Sequence, residues 1–471
     1  MSKFSTMNEK STKRTALLIA ALSSFLTPFM GSSVNVALPT IAKELGMTAL
    51  SMSMVATLYL LSSAVFLVPM GKLADLVGRK KIFGLGSIIY LLASLLCGFS
   101  NTVPLLLIGR ILQGLGSAMV FGTGMAIISS LFAPGERGRA LGINTAVVYL
   151  GLSMGPFLGG MLTQYLGWRS IFLIHIPIGL LIIFLIYFVL KGEWKEEKGK
   201  FDLGGSVIYG LSLVLLLYGF SQLPGIKGYL FLLISIISFV IFIYYELKHE
   251  SPVINISLLK ENKVFTYSSL AALINYSATF AIVFLLSLYL QYMKKMSPRD
   301  AGMIILAQPV VMALVSPLAG FLADKFDSKK VSSFGMALSA VGLFLFTFFN
   351  ENTSLGFIIG NLILLGLGFG LFSSPNTTTV MASVDRKYYG VASSLLGTMR
   401  LVGQMLSMGI AMMVIAIFIG KVKIQPENYP AFLQSMKVSF IIFTLLSLLG
   451  IFAALARNKH GAKAENGKPL R

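Results

Sequence analysis

Fourteen stretches of mostly apolar residues, each about long enough to span a bilayer, follow one another along the chain with short polar segments between them. In hydrocarbon the backbone has to satisfy its own hydrogen bonds, so a chain patterned this way can only form a bundle of membrane-spanning helices. The expected fold class is therefore an all-α membrane protein. The stretches lie at about 16–38, 50–73, 82–99, 104–130, 140–164, 170–190, 203–221, 229–246, 266–292, 299–323, 331–349, 355–382, 390–418 and 435–456. Charged residues make up only 12% of the 471, about half the share of a soluble domain, which leaves too little charge to coat a water-facing surface. The lone cysteine, Cys97, excludes a disulfide scaffold. The first apolar run, Ala16 to Leu38, is longer than a signal-peptide core and reads as a retained first helix.

The chain carries a net charge of +20, which in a soluble protein would suggest nucleic acid as partner. Here the basic residues sit in clusters between apolar runs, the pattern that sets membrane topology, and no nucleic-acid partner is expected. An even number of spans puts both termini on one side. The segments on that side hold 27 Lys and Arg against 9 on the other, with Arg110 and Arg400 inside spans. Both termini are therefore expected in the cytoplasm of a multi-pass protein of the cell membrane.

The chain also repeats itself. Gly71-Lys-Leu-Ala-Asp75 returns as Gly320-Phe-Leu-Ala-Asp324, and each copy leads into a basic turn. Gly114-Leu-Gly116 returns as Gly366-Leu-Gly368 at nearly the same spacing. Spans 1–6 thus pair with spans 9–14, leaving spans 7 and 8 as an insert. The expected organisation is a tail at 1–14, a six-helix bundle at 15–190, two inserted helices at 191–263, a second bundle at 264–456 and a basic tail at 457–471. Two like-oriented halves around a midplane site make an alternating-access plan.

Gly71 permits close approach of a neighbouring helix. Asp75 can accept bonds from N–H groups at a helix N-terminus, and Arg79 can pair with a nearby carboxylate. Gly71, Asp75, Gly78 and Arg79, with Gly320 and Asp324, are the expected gating loops; alternatively they are topogenic loops and nothing more. Arg110 lies inside the fourth span with Gln113, Gly114 and Ser117 on its face, and a buried Arg needs a partner. Gly151, Gly155 and Gly159 share a face of span 5, where Pro156 invites a bend. Close contact with span 8 or the other half is expected there.

These segments resemble the major facilitator superfamily. Gly71–Lys81 looks like its loop signature, Leu107-Ile-Gly-Arg110-Ile-Leu-Gln113-Gly114 resembles its fourth-helix pattern, and Gly151-Leu-Ser-Met-Gly155-Pro156-Phe-Leu-Gly159-Gly160 resembles its antiporter pattern. The fourteen spans, with Gly167-Trp-Arg-Ser-Ile-Phe172 and Pro177, are similar to the 14-helix drug:proton antiporter branch. The resemblance implies two six-helix bundles with two inserted helices, and a proton-coupled exporter of small amphipathic compounds or drugs, working as a monomer. It implies proton coupling at Arg110 and Gln113, and a bias toward export from the Gly151–Gly160 pattern.

One departure matters. The family pattern usually places an acid where Met30 stands, although Asn35 and Pro39 match. No carboxylate falls at mid-membrane depth, so the cavity offers Arg110 and Arg400 and neutral polar groups: Ser24, Thr27 and Asn35 on one face of span 1, then Asn144, Asn275, Tyr276, Gln308 and Asn361, with Met30 in the acid's place. A permanent cation has no counter-charge there, which favours neutral, zwitterionic or anionic substrates. A dedicated carrier for an endogenous neutral or anionic metabolite or lipid-like compound is the alternative; a transporter-shaped sensor ranks below it. No metal site, cofactor or phosphate-binding loop is expected. Nor is an enzyme, because no acid-base or nucleophilic cluster sits at depth. The expected partners are the substrate, protons and the lipid bilayer.

Overall fold

The computed structural model describes residues 2–132, 134–194, 200–254, 256–384, 389–420 and 422–456, and they contain no strand. Fourteen long helical segments follow the apolar pattern. In the first half these are α1 (Ser2–Leu45), α2 (Ala49–Val77), α3 (Arg79–Gly98), α4 (Val103–Leu131), α5 (Pro134–Leu166) and α6 (Arg169–Val189). The insert is α7 (Leu203–Gln222) and α8 (Ile226–Lys248). The second half is α9 (Lys263–Met293), α10 (Pro298–Ala323), α11 (Ser328–Phe348), α12 (Leu355–Ala382), α13 (Tyr389–Phe418) and α14 (Tyr429–Leu455). Among the described residues thirteen helices are long and apolar enough to cross a membrane. The remaining one is α5, 33 residues long, in the place of the fifth expected span.

The repeat is visible in the packing. In the first half α1 lies on α5, and α4 lies against both α2 and α3; in the second, α9 lies on α13, and α12 against both α10 and α11. The paired glycines make these contacts possible, because small residues let membrane helices approach closely. A Cβ on Gly114 would stand 2.5 Å from the Tyr59 carbonyl oxygen of α2, and one on Gly366 would stand 2.5 Å from the Gln308 carbonyl oxygen of α10. Gly116 meets Gly86 of α3 as Gly368 meets Gly335 of α11, each at 2.8 Å from the facing carbonyl oxygen.

The inserted pair bridges the halves. The Tyr209 hydroxyl of α7 donates to the Ala64 carbonyl of α2 (3.1 Å), and Phe220 packs against Gly409 of α13. Most of α8 faces outward with exposed Leu230, Leu233, Ile237 and Val240, as a lipid-facing helix does. In α9 the helix breaks between Thr279 and Ile282, and the Ala281 N–H donates to Ser407 Oγ of α13 (3.0 Å) instead. Irregular backbone at this depth is tolerated because protein atoms satisfy it.

Candidate functional site

The two halves touch on one side of the membrane. Call the side bearing the α2–α3 turn, with Arg79, Lys80 and Lys81, the basic face. From mid-membrane to the opposite face, the halves are joined by Ser153 Oγ donating to the Pro309 carbonyl (3.1 Å), Gln291 Nε2 to the Val36 carbonyl (2.8 Å), Arg299 to the Tyr165 hydroxyl (3.1 Å), and the Ala49 N–H to the Val422 carbonyl (2.8 Å). A bond between the Tyr149 hydroxyl and Ser373 Oγ marks the mid-membrane limit of this set. Closer to the basic face, no hydrogen bond joins the two halves among the described residues.

Antiporter-pattern residues build this closed side, though not with the partner expected for all of them. Gly151, Gly155 and Gly159 pack on α1 of their own half: a Cβ on Gly151 would lie 2.4 Å from the Phe25 carbonyl oxygen, and one on Gly159 would lie 2.7 Å from Ser33 Cα. Ser33 Oγ donates to the Gly155 carbonyl (3.0 Å). Gly160 and Pro156 face α10 of the other half, where Gly302 comes within 2.2 Å of the Pro156 carbonyl oxygen by the same measure. Of the two expected partners, the other half is met at Gly160 and Pro156, while none of the four glycines has its nearest neighbours on α8, most of which faces outward. At the opposite face, Trp168 Nε1 and Arg169 both bind the Glu44 carboxylate, tying α6 to the end of α1.

On the basic face neither of the two expected gating glycines is packed against a helix across the seam. A Cβ on Gly71 would meet nothing within 4 Å, and one on Gly320 only Ser374 Oγ at 3.5 Å, so neither is wedged against a neighbour. Asp75 accepts from Arg79 Nε (2.7 Å), and Arg79 also reaches Ser130 Oγ and the Ala126 carbonyl of α4. The carboxylate at the α3 N-terminus is Glu193, not Asp75: Glu193 Oε1 accepts the Lys80 N–H (2.8 Å). Gly78 joins α2 to α3 at φ +130°, and its missing side chain leaves the space that the Glu193 carboxyl fills. The Asp324 side chain lies outside the described residues.

Arg110 is 1% exposed and lies within the first half. Its Nε donates to the Val55 carbonyl (2.9 Å), its Nη1 to Gln113 Oε1 (2.7 Å), and its guanidinium covers the Tyr59 ring at 4.3 Å. Gln113 passes the chain on to Ser94 Oγ (2.8 Å), and the Tyr59 hydroxyl donates to Ser117 (3.0 Å). The charge is thus held by neutral partners and a ring face, with no paired carboxylate among the described residues. His175 is buried between Phe29 and Tyr90 with both ring nitrogens near carbonyls, of Ile171 (2.8 Å) and Leu26 (3.4 Å).

Arg400 is held differently. Its Nη2 donates to Thr377 Oγ1 (2.7 Å), its Nε is buried without a partner, and the Tyr276 ring lies 5.8 Å away. Tyr276 meets Phe369 edge-on at 5.3 Å. Of the other expected cavity residues, Met30 is fully buried in the core and Asn361 is tied to the Gly342 carbonyl (2.8 Å) between α11 and α12. Asn144 Nδ2 contacts Met125 Sδ at 3.2 Å. Asn35 Oδ1, both amide atoms of Asn275, and Gln308 Oε1 are buried without partners on helices that meet at the seam; such atoms call for water or a ligand.

One cluster escaped the sequence reading. Asp202 caps α7 by accepting the Gly205 N–H (2.8 Å), and Glu246 accepts the Ile254 N–H (2.9 Å). Both side chains are buried. Asp202 Oδ2 and Glu246 Oε1 lie against the same glycine, Gly205, without hydrogen-bond partners, and His249 Nδ1 lies 3.7 Å from Asp202 Oδ2. The signal available was two acids near the ends of adjacent inserted helices, which sequence alone cannot bring together.

Two like six-helix halves, an inserted helix pair and a seam closed on one side define a multi-pass membrane transporter. The Major Facilitator Superfamily profile matches residues 20–268 and 268–470, and the chain belongs to that family. It is a transporter of small molecules, not an enzyme. The chain is 33% identical to the riboflavin transporter RibZ of Clostridioides difficile, over 82% of this chain and 84% of that one. It is 31% identical to the cephamycin export protein CmcT of Amycolatopsis lactamdurans, over 85% of each. It is 29% identical to the multidrug resistance protein Stp of Mycobacterium tuberculosis, over 87% of this chain and 77% of that one. Among solved structures, a bacterial homologue of the human lysosomal transporter Spinster, inward-facing and unoccupied, superposes with a TM-score of 0.65 at 17% identity, covering 94% of this chain and 96% of that one; it shares the fold.

Proposed function

We propose that the chain is a proton-coupled exporter of small amphipathic compounds, an antiporter that works by alternating access as a monomer in the cell membrane. The carrying observation is the one-sided seam: the halves are bonded from mid-membrane to one face, while Gly71 and Gly320 on the basic face stand clear. The excess of Lys and Arg on the basic face supports placing it, with both termini, in the cytoplasm. The state described is then open to the inside. Substrate enters between the halves at 15–190 and 264–456, and rocking about the α5–α10 contact closes the basic face over it. Gly71, Asp75, Gly78, Arg79, Gly320 and Asp324 hold that second closure, and Arg110 with Gln113 serves proton coupling. Relatives named as exporters of drugs and of a cephamycin support the direction.

A dedicated carrier for a neutral or anionic metabolite is the second reading. What favours it is that every described carboxylate within a helix lies near a helix end, while Arg110 and Arg400 lie deeper. A relative named as a riboflavin transporter fits it as well. Proteoliposomes with an imposed pH gradient and a trapped pH dye test both, using a lipophilic cation, a neutral amphiphile and an organic anion in turn. Proton flux driven by several unrelated compounds supports the exporter; flux with a single class supports the carrier. No flux with any of them rejects proton coupling.

A further inference from the structure

Two arginines lie in the spans, and their surroundings differ in a way that bears on the substrate. Arg110 is closed off, with two hydrogen bonds and a ring face at 4.3 Å. Arg400 lies partway along α13, about 17 Å from the helix start at 1.5 Å per residue, and so near mid-membrane. A guanidinium carries five N–H donors in a planar fork. Of Arg400's five, one bond is described, to Thr377, and Nε is buried with nothing to donate to.

A cation at this depth is costly unless something completes its hydrogen bonds. Tyr276 and Phe369 stand beside it as an apolar wall, and across the seam the Tyr149 hydroxyl meets Ser373 one turn along α12 from Thr377. The partner missing from this arrangement is flat, accepts two hydrogen bonds, and carries negative charge. Carboxylates match the Arg fork in just that way.

We propose that Arg400 and Tyr276 form the binding site for a planar aromatic acid, its carboxylate paired to the free edge of the guanidinium and its ring against Tyr276. This rests on the transporter reading above and narrows its substrate class. Because Tyr149 reaches the same place from the first half, an occupied site touches both halves at the seam.

Binding is measured on the purified full chain in detergent, without a proton gradient, by equilibrium dialysis of 2-naphthoate, its neutral amide and a naphthyl trimethylammonium. Saturable binding with naphthoate tightest is expected. Arg400→Gln weakens naphthoate by about tenfold or more, the worth of a charge-assisted pair, and leaves the amide within about twofold. Arg400→Lys, which keeps the charge without the fork, falls between, and Tyr276→Ala weakens naphthoate and amide alike. Unchanged naphthoate affinity in a monodisperse Arg400→Gln protein overturns the proposal. So does tighter binding of the amide or the cation to the unaltered protein, and so does the absence of saturable naphthoate binding. Failure of the liposome flux assay with binding intact would reject proton coupling and leave this site standing.

Discussion

Gly160 of α5 and Pro298 at the head of α10 are so close that a Cβ on the glycine would stand 2.4 Å from the proline carbonyl oxygen. The obstruction is backbone, which cannot turn aside, so any side chain at Gly160 forces the two halves apart by about 1 Å to regain ordinary contact. Gly160→Ala is expected to weaken closure of that face and slow transport about tenfold, at the 1–3 kcal/mol scale of overpacking. Gly356→Ala is the control, since nothing lies within 4 Å of a Cβ there. Flux in proteoliposomes reads both.

Arg110→Lys keeps a charge but cannot make both bonds, to the Val55 carbonyl and to Gln113. Accumulation driven by a pH gradient is expected to disappear, with gradient-free substrate exchange falling no more than a few-fold. Equal loss of both, in a protein that elutes as a single species, would assign Arg110 to packing.

The Asp75–Arg79 pair is partly exposed, and an i,i+4 pair of that kind contributes only about 0.3–0.5 kcal/mol. Asp75→Asn should therefore leave the melting temperature of the purified protein within about a degree. A fall in maximal transport rate beyond that small energy is the expected sign of gating; an unaltered rate would make the loop topogenic only.

Glu246→Gln retains the oxygen that accepts the Ile254 N–H and places an N–H donor against the partnerless Asp202 Oδ2. Thermal unfolding in detergent should show an unchanged or raised midpoint. Glu246→Ala leaves the Ile254 N–H without its acceptor and should lower it, as losing a buried acceptor costs about 1–3 kcal/mol.

The spans were legible because bilayer thickness fixes their length, and the repeat was legible because the same glycines make the same contacts in both halves, Gly114 on α2 and Gly366 on α10. The partners of a given face were not. Gly151, Gly155 and Gly159 have the spacing of a helix contact, but spacing does not say that α1 supplies the other side. Gly71 reads as a close-contact glycine and stands clear, since its neighbour depends on which face is closed. Glu193 and the Asp202–Glu246 pair were invisible for a different reason: acids at span ends look solvated until tertiary packing buries or docks them.

The central claim is that the two faces open in turn. Spin labels on Val77→Cys and Phe326→Cys report the basic face, and labels on Leu166→Cys and Leu355→Cys report the other; all four native residues are exposed, while Cys97 is buried. Pulsed electron–electron distances are taken in lipid nanodiscs, before and after adding a compound that drives proton flux. The expected result is a shorter basic-face distance together with a longer opposite-face distance. Distances that stay fixed, or that change in the same direction at both faces, would contradict alternating access.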